Sequence, residues 1–258
     1  PMEMAEALEA CKVPTLKVLD LGENGLTEIR ALVAPMASNA LSTIEKLNLE
    51  SNPIGNRGVM ALATVLSCGA MPALQDLDLT DTDCGSDGCV ALAEALGNGA
   101  AVALKDLSLG DNQIEKEGAM ALAGAVSKGA LQALETLVLE TCGLEHEATG
   151  AIIEALAKKA PCLHSLNLNH NQMGQRGAAR VAAALEAKPM MFLQELQMSG
   201  NGIDGQGFAL LANAIGRGAT PSLEELDLSN GLELMDDNKS HNRRWVAPNE
   251  ASHSWKTV

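Results

Sequence analysis

Aromatic residues make up only 2% of the 258-residue chain, and tyrosine is absent. A large core is still available, because 47% of residues are apolar, but it must be built from leucine, alanine and other aliphatic side chains. Small and branched side chains of this kind suit thin, regular, repeated layers. Lysine and arginine are outnumbered by aspartate and glutamate, 18 against 33, for a formal net charge of −15. That balance repels nucleic-acid phosphates and anionic membrane surfaces, and its natural complement is a basic protein partner. No apolar run reaches the length of a membrane span, and the N-terminus lacks a signal-peptide core. The six cysteines, at 11, 68, 84, 89, 142 and 162, have no spacing of a small disulfide framework. They read as reduced, which favours an intracellular, cytoplasmic-type compartment. Pro1 stands where an initiator methionine would be, so a processed or truncated start, and with it an organellar destination, stays open.

Self-comparison finds a period near 30 residues. The pattern L-x-x-L-x-L-x-x-N-x-L fits "LKVLDLGENGL" from Leu16, "IEKLNLESNPI" from Ile44, "LQDLDLTDTDC" from Leu74 and "LKDLSLGDNQI" from Leu104. It continues with "LETLVLETCGL" from Leu134, "LHSLNLNHNQM" from Leu163 and "LQELQMSGNGI" from Leu193. An eighth copy from Leu223, "LEELDLSNGLE", loses register near its end. Each unit begins with the period-2 alternation of a strand. Each full unit from Ile44 on ends with an aliphatic i, i+4 pair on one helix face, at positions 19 and 23: Leu62/Leu66, Leu92/Leu96, Leu122/Val126, Ile152/Leu156, Val181/Leu185 and Leu211/Ile215. Position 15 is Gly58, Gly88, Gly118, Gly177 and Gly207, with Ala148 in the fifth unit, which would let the helix start close to its neighbour.

These units resemble the leucine-rich repeat family, in its long, ribonuclease-inhibitor-like subtype, over about residues 5 to 232. The resemblance implies a right-handed α/β solenoid: an open arc with a parallel sheet of about eight strands on the concave side and helices on the convex side. It also implies a structural task for position 9, where a polar side chain satisfies backbone groups as the chain turns out of the strand. Asn24, Asn52, Asn112, Asn171 and Asn201 would stack into a ladder, with Thr82 and Cys142 replacing asparagine in two units. Cysteine is an accepted variant there, so Cys142 reads as a buried structural thiol. Leu8 precedes Leu16 as Leu96 precedes Leu104, so the sequence opens inside a return helix.

Strand positions 3, 5 and 7, with 8 on the adjoining turn, point away from the helices. They carry Asp20, Glu23, Glu50, Asp76, Asp78, Asp81, Asp106, Asp111, Glu140, Glu195, Glu225 and Asp227, against one lysine, Lys46, and His170. Eight strands about 4.8 Å apart give a face on the order of 35 Å across, enough for a protein interface. One reading is a platform that steers a basic protein surface or tail. The other is solubilising charge on an exposed sheet. The polar stretch after residue 233 holds both tryptophans. Its triplet Arg243-Arg244-Trp245 has the composition of a binding hot spot. Three readings stand: docking on another subunit, sealing of the last repeat by Trp245, and an unstructured tail.

Other chemistry finds little support. "DTDCGSDGC", Asp81 to Cys89, fails as a calcium loop, because Gly85 occupies an acidic ligand position and Leu92 the place of the bidentate glutamate. Cys84 and Cys89 lack two further zinc ligands nearby in sequence. The five histidines, at 146, 164, 170, 241 and 253, join no nucleophile motif, and no phosphate-binding loop is present. The expectation is a non-enzymatic interaction module, a scaffold or recognition subunit of a hetero-complex, with no cofactor, no metal and no direct nucleic-acid binding. The family resemblance adds two regulatory alternatives: an activator of the small GTPase Ran, whose acidic C-terminal tract is replaced here by a mixed tail, and the sensing repeats of an innate-immune receptor.

Overall fold

A computed structural model describes residues 15–37, 41–229 and 244–246. The expected return helix around Leu8, and Arg243 of the tail triplet, lie outside them. Each repeat contributes one three-residue strand: β1 Val18–Asp20, β2 Lys46–Asn48, β3 Asp76–Asp78, β4 Asp106–Ser108, β5 Thr136–Val138, β6 Ser165–Asn167, β7 Glu195–Gln197 and β8 Glu225–Asp227. Between consecutive strands run the helices α1 Arg30–Ala37, α2 Gly55–Ser67, α3 Ser86–Gly97, α4 Glu115–Ser127, α5 Glu145–Lys159, α6 Gly174–Ala187 and α7 Gly205–Gly216. The eight strands pair in parallel in chain order, each in register with the next, so equivalent positions line up as columns. A ninth strand, β9 Arg244–Val246, pairs antiparallel with β8, setting Trp245 opposite Leu226.

The strands are short because only one residue of each, the central leucine, points inward. Leu47, Leu77, Leu107, Leu137, Leu166 and Leu196 are fully buried, while their strand neighbours face out. Two residues on, Leu49, Leu79, Leu109, Leu139, Leu168 and Met198 are buried as well. These columns meet the i, i+4 pairs of the helices, every member of which is buried. A unit therefore covers its leucines only against the units on either side. At Gly118 the approach is tight: an added Cβ would stand 2.7 Å from Ile114 Cγ2 and 2.9 Å from Cys89 Cβ of α3. The first turn of the helix and the neighbouring helix thus both claim the space that position 15 leaves.

The position-9 side chains bridge units. Asn171 Nδ2 donates to Leu168 O and Asn169 O of its own unit, at 3.1 and 3.0 Å, and to Leu139 O of the preceding unit at 2.6 Å. Its Oδ1 accepts from Cys142 N and Leu144 N, also of the preceding unit, at 3.0 and 3.2 Å. Asn52 and Asn112 repeat the arrangement, and Asn201 donates in the same way and accepts from Asn171 N at 2.8 Å. Among the described residues, the Asn24 side chain donates to Leu21 O and Gly22 O of its own turn, and it is exposed.

The two substituted rungs behave differently. The Cys142 thiol donates back to Leu109 O at 3.2 Å, and the Asn112 N–H donates to its sulfur, so cysteine keeps the link to the preceding unit. Thr82 has the same number of atoms in reach, but its C–O bond is shorter than the C–S bond of cysteine and its oxygen is smaller than sulfur. Its hydroxyl reaches Leu79 O of its own unit and Asn112 Oδ1 of the next, and nothing in the unit before. There the Ile54 N–H, whose counterparts Leu26, Cys84 and Leu144 bond to asparagine, folds back onto Asn52 O at 2.7 Å. A second link compensates at this junction: Asn56 Oδ1 accepts from Gly85 N and Gly88 N, at 2.8 and 2.9 Å, capping α3 from the neighbouring unit.

Replacing Asn171 by alanine strands buried groups in two units. A loss of about 2–4 kcal/mol is expected in chemical denaturation. Thr82→Ala breaks fewer bonds and is expected to cost about 1 kcal/mol.

Candidate protein-binding face

Register converts the outward positions into two continuous columns. Position 3 reads Val18, Lys46, Asp76, Asp106, Thr136, Ser165, Glu195, Glu225, and position 5 reads Asp20, Asn48, Asp78, Ser108, Val138, Asn167, Gln197, Asp227. Charge along them is uneven. The carboxylates gather on β1–β4 and again on β7–β8, and a neutral centre on β5 and β6 separates them. Like charges sit directly opposite each other at Asp76 and Asp106 and at Glu195 and Glu225, an arrangement that costs stability. Lys46 relieves the first cluster through an ion pair with Asp76 at 2.7 Å; that bond holds the ammonium pKa above its ordinary value.

Position 8 has left-handed backbone in every full unit: Glu23, Ser51, Asp81, Asp111, Thr141 and His170 lie at φ between 52° and 58°, and Gly200 lies at 67°. This kink ends each strand. Glu23, Asp81, Asp111, Thr141 and His170 are exposed beside the strand ends, with Ser51 half-buried. The imidazole of His170 occupies the place where a side chain at Gly200 would start, so that glycine is required twice over.

Several of the carboxylates have structural tasks that the sequence reading missed. One oxygen each of Asp20, Asp78 and Asp227 accepts the N–H two residues on, from Gly22, Thr80 and Ser229 at 3.1, 2.9 and 2.9 Å. Asn48 and Asn167 do the same for Glu50 and Asn169. The signal was present as Asp or Asn at position 5 in most units, a turn-forming pair of residue types. Asp81 accepts from Ser51 Oγ at 3.2 Å, Glu140 from Asn167 Nδ2 at 3.0 Å and Glu195 from Ser165 Oγ at 3.0 Å. Asp106 and Asp111 accept no side-chain or ion-pair contact among the described residues, so they are free to meet a partner.

Glu50 sits among other carboxylates. Partial burial first, and then Asp78, Glu23, Asp20 and Asp81 around it, push its carboxyl pKa above the ordinary value. The buried thiols form the opposite case. Burial raises Cys84 and Cys142 to about 12, and raises Cys89 as well, so all three stay protonated and unreactive at neutral pH. Among the described residues, no group of three or more His, Cys, Asp or Glu side chains is placed to hold a metal ion, and no helix is long and apolar enough to cross a membrane.

The fold and its outward columns define an α/β solenoid with a display face on its sheet, the architecture of a protein-interaction module. The chain's repeats are those of the leucine-rich repeat type: the family model described as "Leucine Rich repeat" matches four segments, residues 40–63, 103–123, 159–182 and 190–212. No curated protein sequence matches. Among solved structures it is similar to a chain in the complex of Rad7 and Elc1 in yeast, at 16% identity and a TM-score of 0.52, over 92% of this chain and 70% of that one. It also matches a chain of the TLR13–ssRNA13 complex at 20% identity and a TM-score of 0.38, over 77% of this chain and 32% of that one. At these identities the likeness concerns the fold alone.

Because the Glu50 carboxyl titrates above its unfolded value, its ionisation costs stability. The cost is absent below the unfolded pKa and fully present once pH rises through the folded one. Glu50→Gln is therefore expected to raise the melting temperature at pH 7, with the gain vanishing near pH 4; an equal gain at both values would rule out the charge cluster as its cause. Thiol labelling of the native protein is expected to modify the exposed Cys68 and Cys162, leaving Cys84, Cys89 and Cys142 untouched until the chain unfolds.

Proposed function

We propose that the protein is a non-enzymatic interaction module, a scaffold or recognition subunit of a larger assembly, that binds a basic protein surface on the sheet face. The observation that carries this reading is the convergence of Asp20, Glu23, Asp78 and Asp81 on Glu50. A lysine or arginine brought into that field gains Coulomb energy and relieves the mutual repulsion of the carboxylates. The neutral strip around Thr136, Val138 and Ser165 would let the apolar stems of such side chains approach the sheet. The outward positions of β1–β8 carry no aromatic side chain, so affinity there would rest on charge and hydrogen bonds and fall with salt. The structural caps at Asp20, Asp78 and Asp227 account for part of the acidity without a partner, whereas Glu23, Glu50, Asp106 and Asp111 make no side-chain hydrogen bond or ion pair among the described residues. The pairing of β9 with β8 supports a capping role for the tail, since it covers the backbone edge of the last unit.

The test is the combined variant Glu50→Lys, Asp106→Lys, Asp111→Lys, which spares every capping carboxylate. Affinity purification from native cells is expected to yield a stoichiometric partner that survives gel filtration, weakens between low and high salt, and is lost with the triple variant. Capture that is unchanged in the variant would place the interface elsewhere.

A further inference from the structure

Charge is segregated between the two rims of the solenoid. The strand-to-helix connections carry carboxylates, Glu23, Glu50, Asp81 and Asp111 among them, and no lysine or arginine. On the opposite rim, the stretches that directly follow the helices, 67–73, 97–103, 127–133, 157–162, 187–192 and 216–222, hold no Asp or Glu and carry Lys128, Lys158, Lys159, Lys188 and Arg217, while Glu45, Glu135 and Glu224 stand at the far end of their connections next to the strands, the first two paired with Lys17 and Lys105. Cations at helix C-termini complement the macrodipole, so some of this bias is local stabilisation. Lys158 and Arg217 are also paired, with Glu154 and Glu186. Lys128, Lys159 and Lys188 make no ion pair among the described residues.

The macrodipole does not account for the apolar side chains on the same rim. Val102, Met191 and Phe192 are 65%, 55% and 57% exposed. Phe192 is one of only two phenylalanines in the chain. The loop that holds it is fixed: Ser222 Oγ donates to Met191 O at 2.8 Å and Met190 N to Ala219 O at 2.9 Å. Further along the rim, between the ends of α2 and α3, lies a groove of about 370 Å³ walled by Leu66, Met71, Pro72 and Val102, with Ser67 and Asn98 adding polar wall.

We propose that this rim is a second docking surface, distinct from the acidic sheet face, for an extended acidic segment of a partner protein that seats an apolar side chain in the groove. The carboxylates of the segment would run past Lys128, Lys159 and Lys188 towards the Met191–Phe192 step. Groove and step are four units apart. At about 5 Å per strand and about 10 Å per helix, that is roughly 20–40 Å, or on the order of ten extended residues. A protein segment fits better than the other occupants. An anionic bilayer would meet a protein whose net charge is −15, and a second copy meeting rim to rim would set lysines against lysines.

A random-peptide display library selected on the full chain tests this directly. Enriched peptides are expected to combine aspartate or glutamate with leucine, phenylalanine or tryptophan. In fluorescence anisotropy their affinity is expected to fall at least tenfold with Phe192→Ser, with Val102→Glu and with the pair Lys159→Glu, Lys188→Glu, and to stay within twofold with Asp106→Lys, Asp111→Lys. All these positions are exposed or apolar-rimmed surface, and an unchanged melting temperature checks that the variants fold. The absence of enrichment, or basic peptides released by the Asp106 and Asp111 variant, would overturn the proposal. So would Phe192-dependent pelleting with phosphatidylserine vesicles, which would reassign the rim to a lipid surface. Phe192-dependent self-association in sedimentation would likewise overturn it by assigning the rim to a second copy.

Discussion

A buried side chain at position 9 must satisfy backbone groups in two units at once, and the rest of the molecule depends on that requirement. Asparagine meets it best, because one planar amide offers two donor hydrogens and an acceptor oxygen in fixed geometry. At Asn112 and Asn171 the donors hold three carbonyls and the oxygen holds two amides, and three of these five bonds reach the preceding unit. Without those bonds the strand exit would leave buried N–H and C=O groups unpaired, at a cost far beyond what one short strand can recover. The ladder therefore fixes the turn, the turn fixes the left-handed residue at position 8, and the registered leucine columns follow. The hydrophobic driving force is larger in total, but it is non-directional; the amides give it register.

Register is also what turns a sequence pattern into a surface. Equivalent residues of eight units stand side by side, so a bias at one position becomes a charged column. The same carboxylates serve two masters on this face. Those at position 5 tie down the strand end, and those at Glu50, Asp106 and Asp111 project without a partner of their own. The distinction matters for function: an acidic sheet is not evidence of binding where its charges cap turns, and becomes so where they crowd together unused. On the helix-to-strand rim Lys128, Lys159, Lys188 and Arg217 stand at or just past helix C-termini, where the dipole favours positive charge, so the solenoid offers local surfaces of opposite sign.

The fold was legible because its signal is repeated. Leu16, Ile44, Leu74 and their successors report one geometry eight times over, and the switch from period 2 to an i, i+4 pair marks strand and helix in each unit. The glycines at position 15 announced close packing for the same reason. The candidate face was legible only as a list of outward positions. That Asp78 caps Thr80 while Asp106 caps nothing depends on whether position 5 or position 3 is occupied, and on bond geometry that the residue type does not encode. Asn56, capping a helix of the next unit, and Cys142, linking units where Thr82 cannot, were hidden because their partners lie about thirty residues away. The strand at Arg244–Val246 was invisible to the repeat pattern, since it is antiparallel and follows a stretch with no leucine template.

Amide hydrogen exchange at single-residue resolution tests the bridging role of position 9 most directly. In Asn112→Ala, the amides of Thr82 and Cys84, which bond to Asn112 Oδ1 from the preceding unit, should lose protection by orders of magnitude relative to the strand amides of β6 and β7. Exchange that quickens only within the turn of the mutated unit, leaving Thr82 and Cys84 as slow as before, would contradict the account.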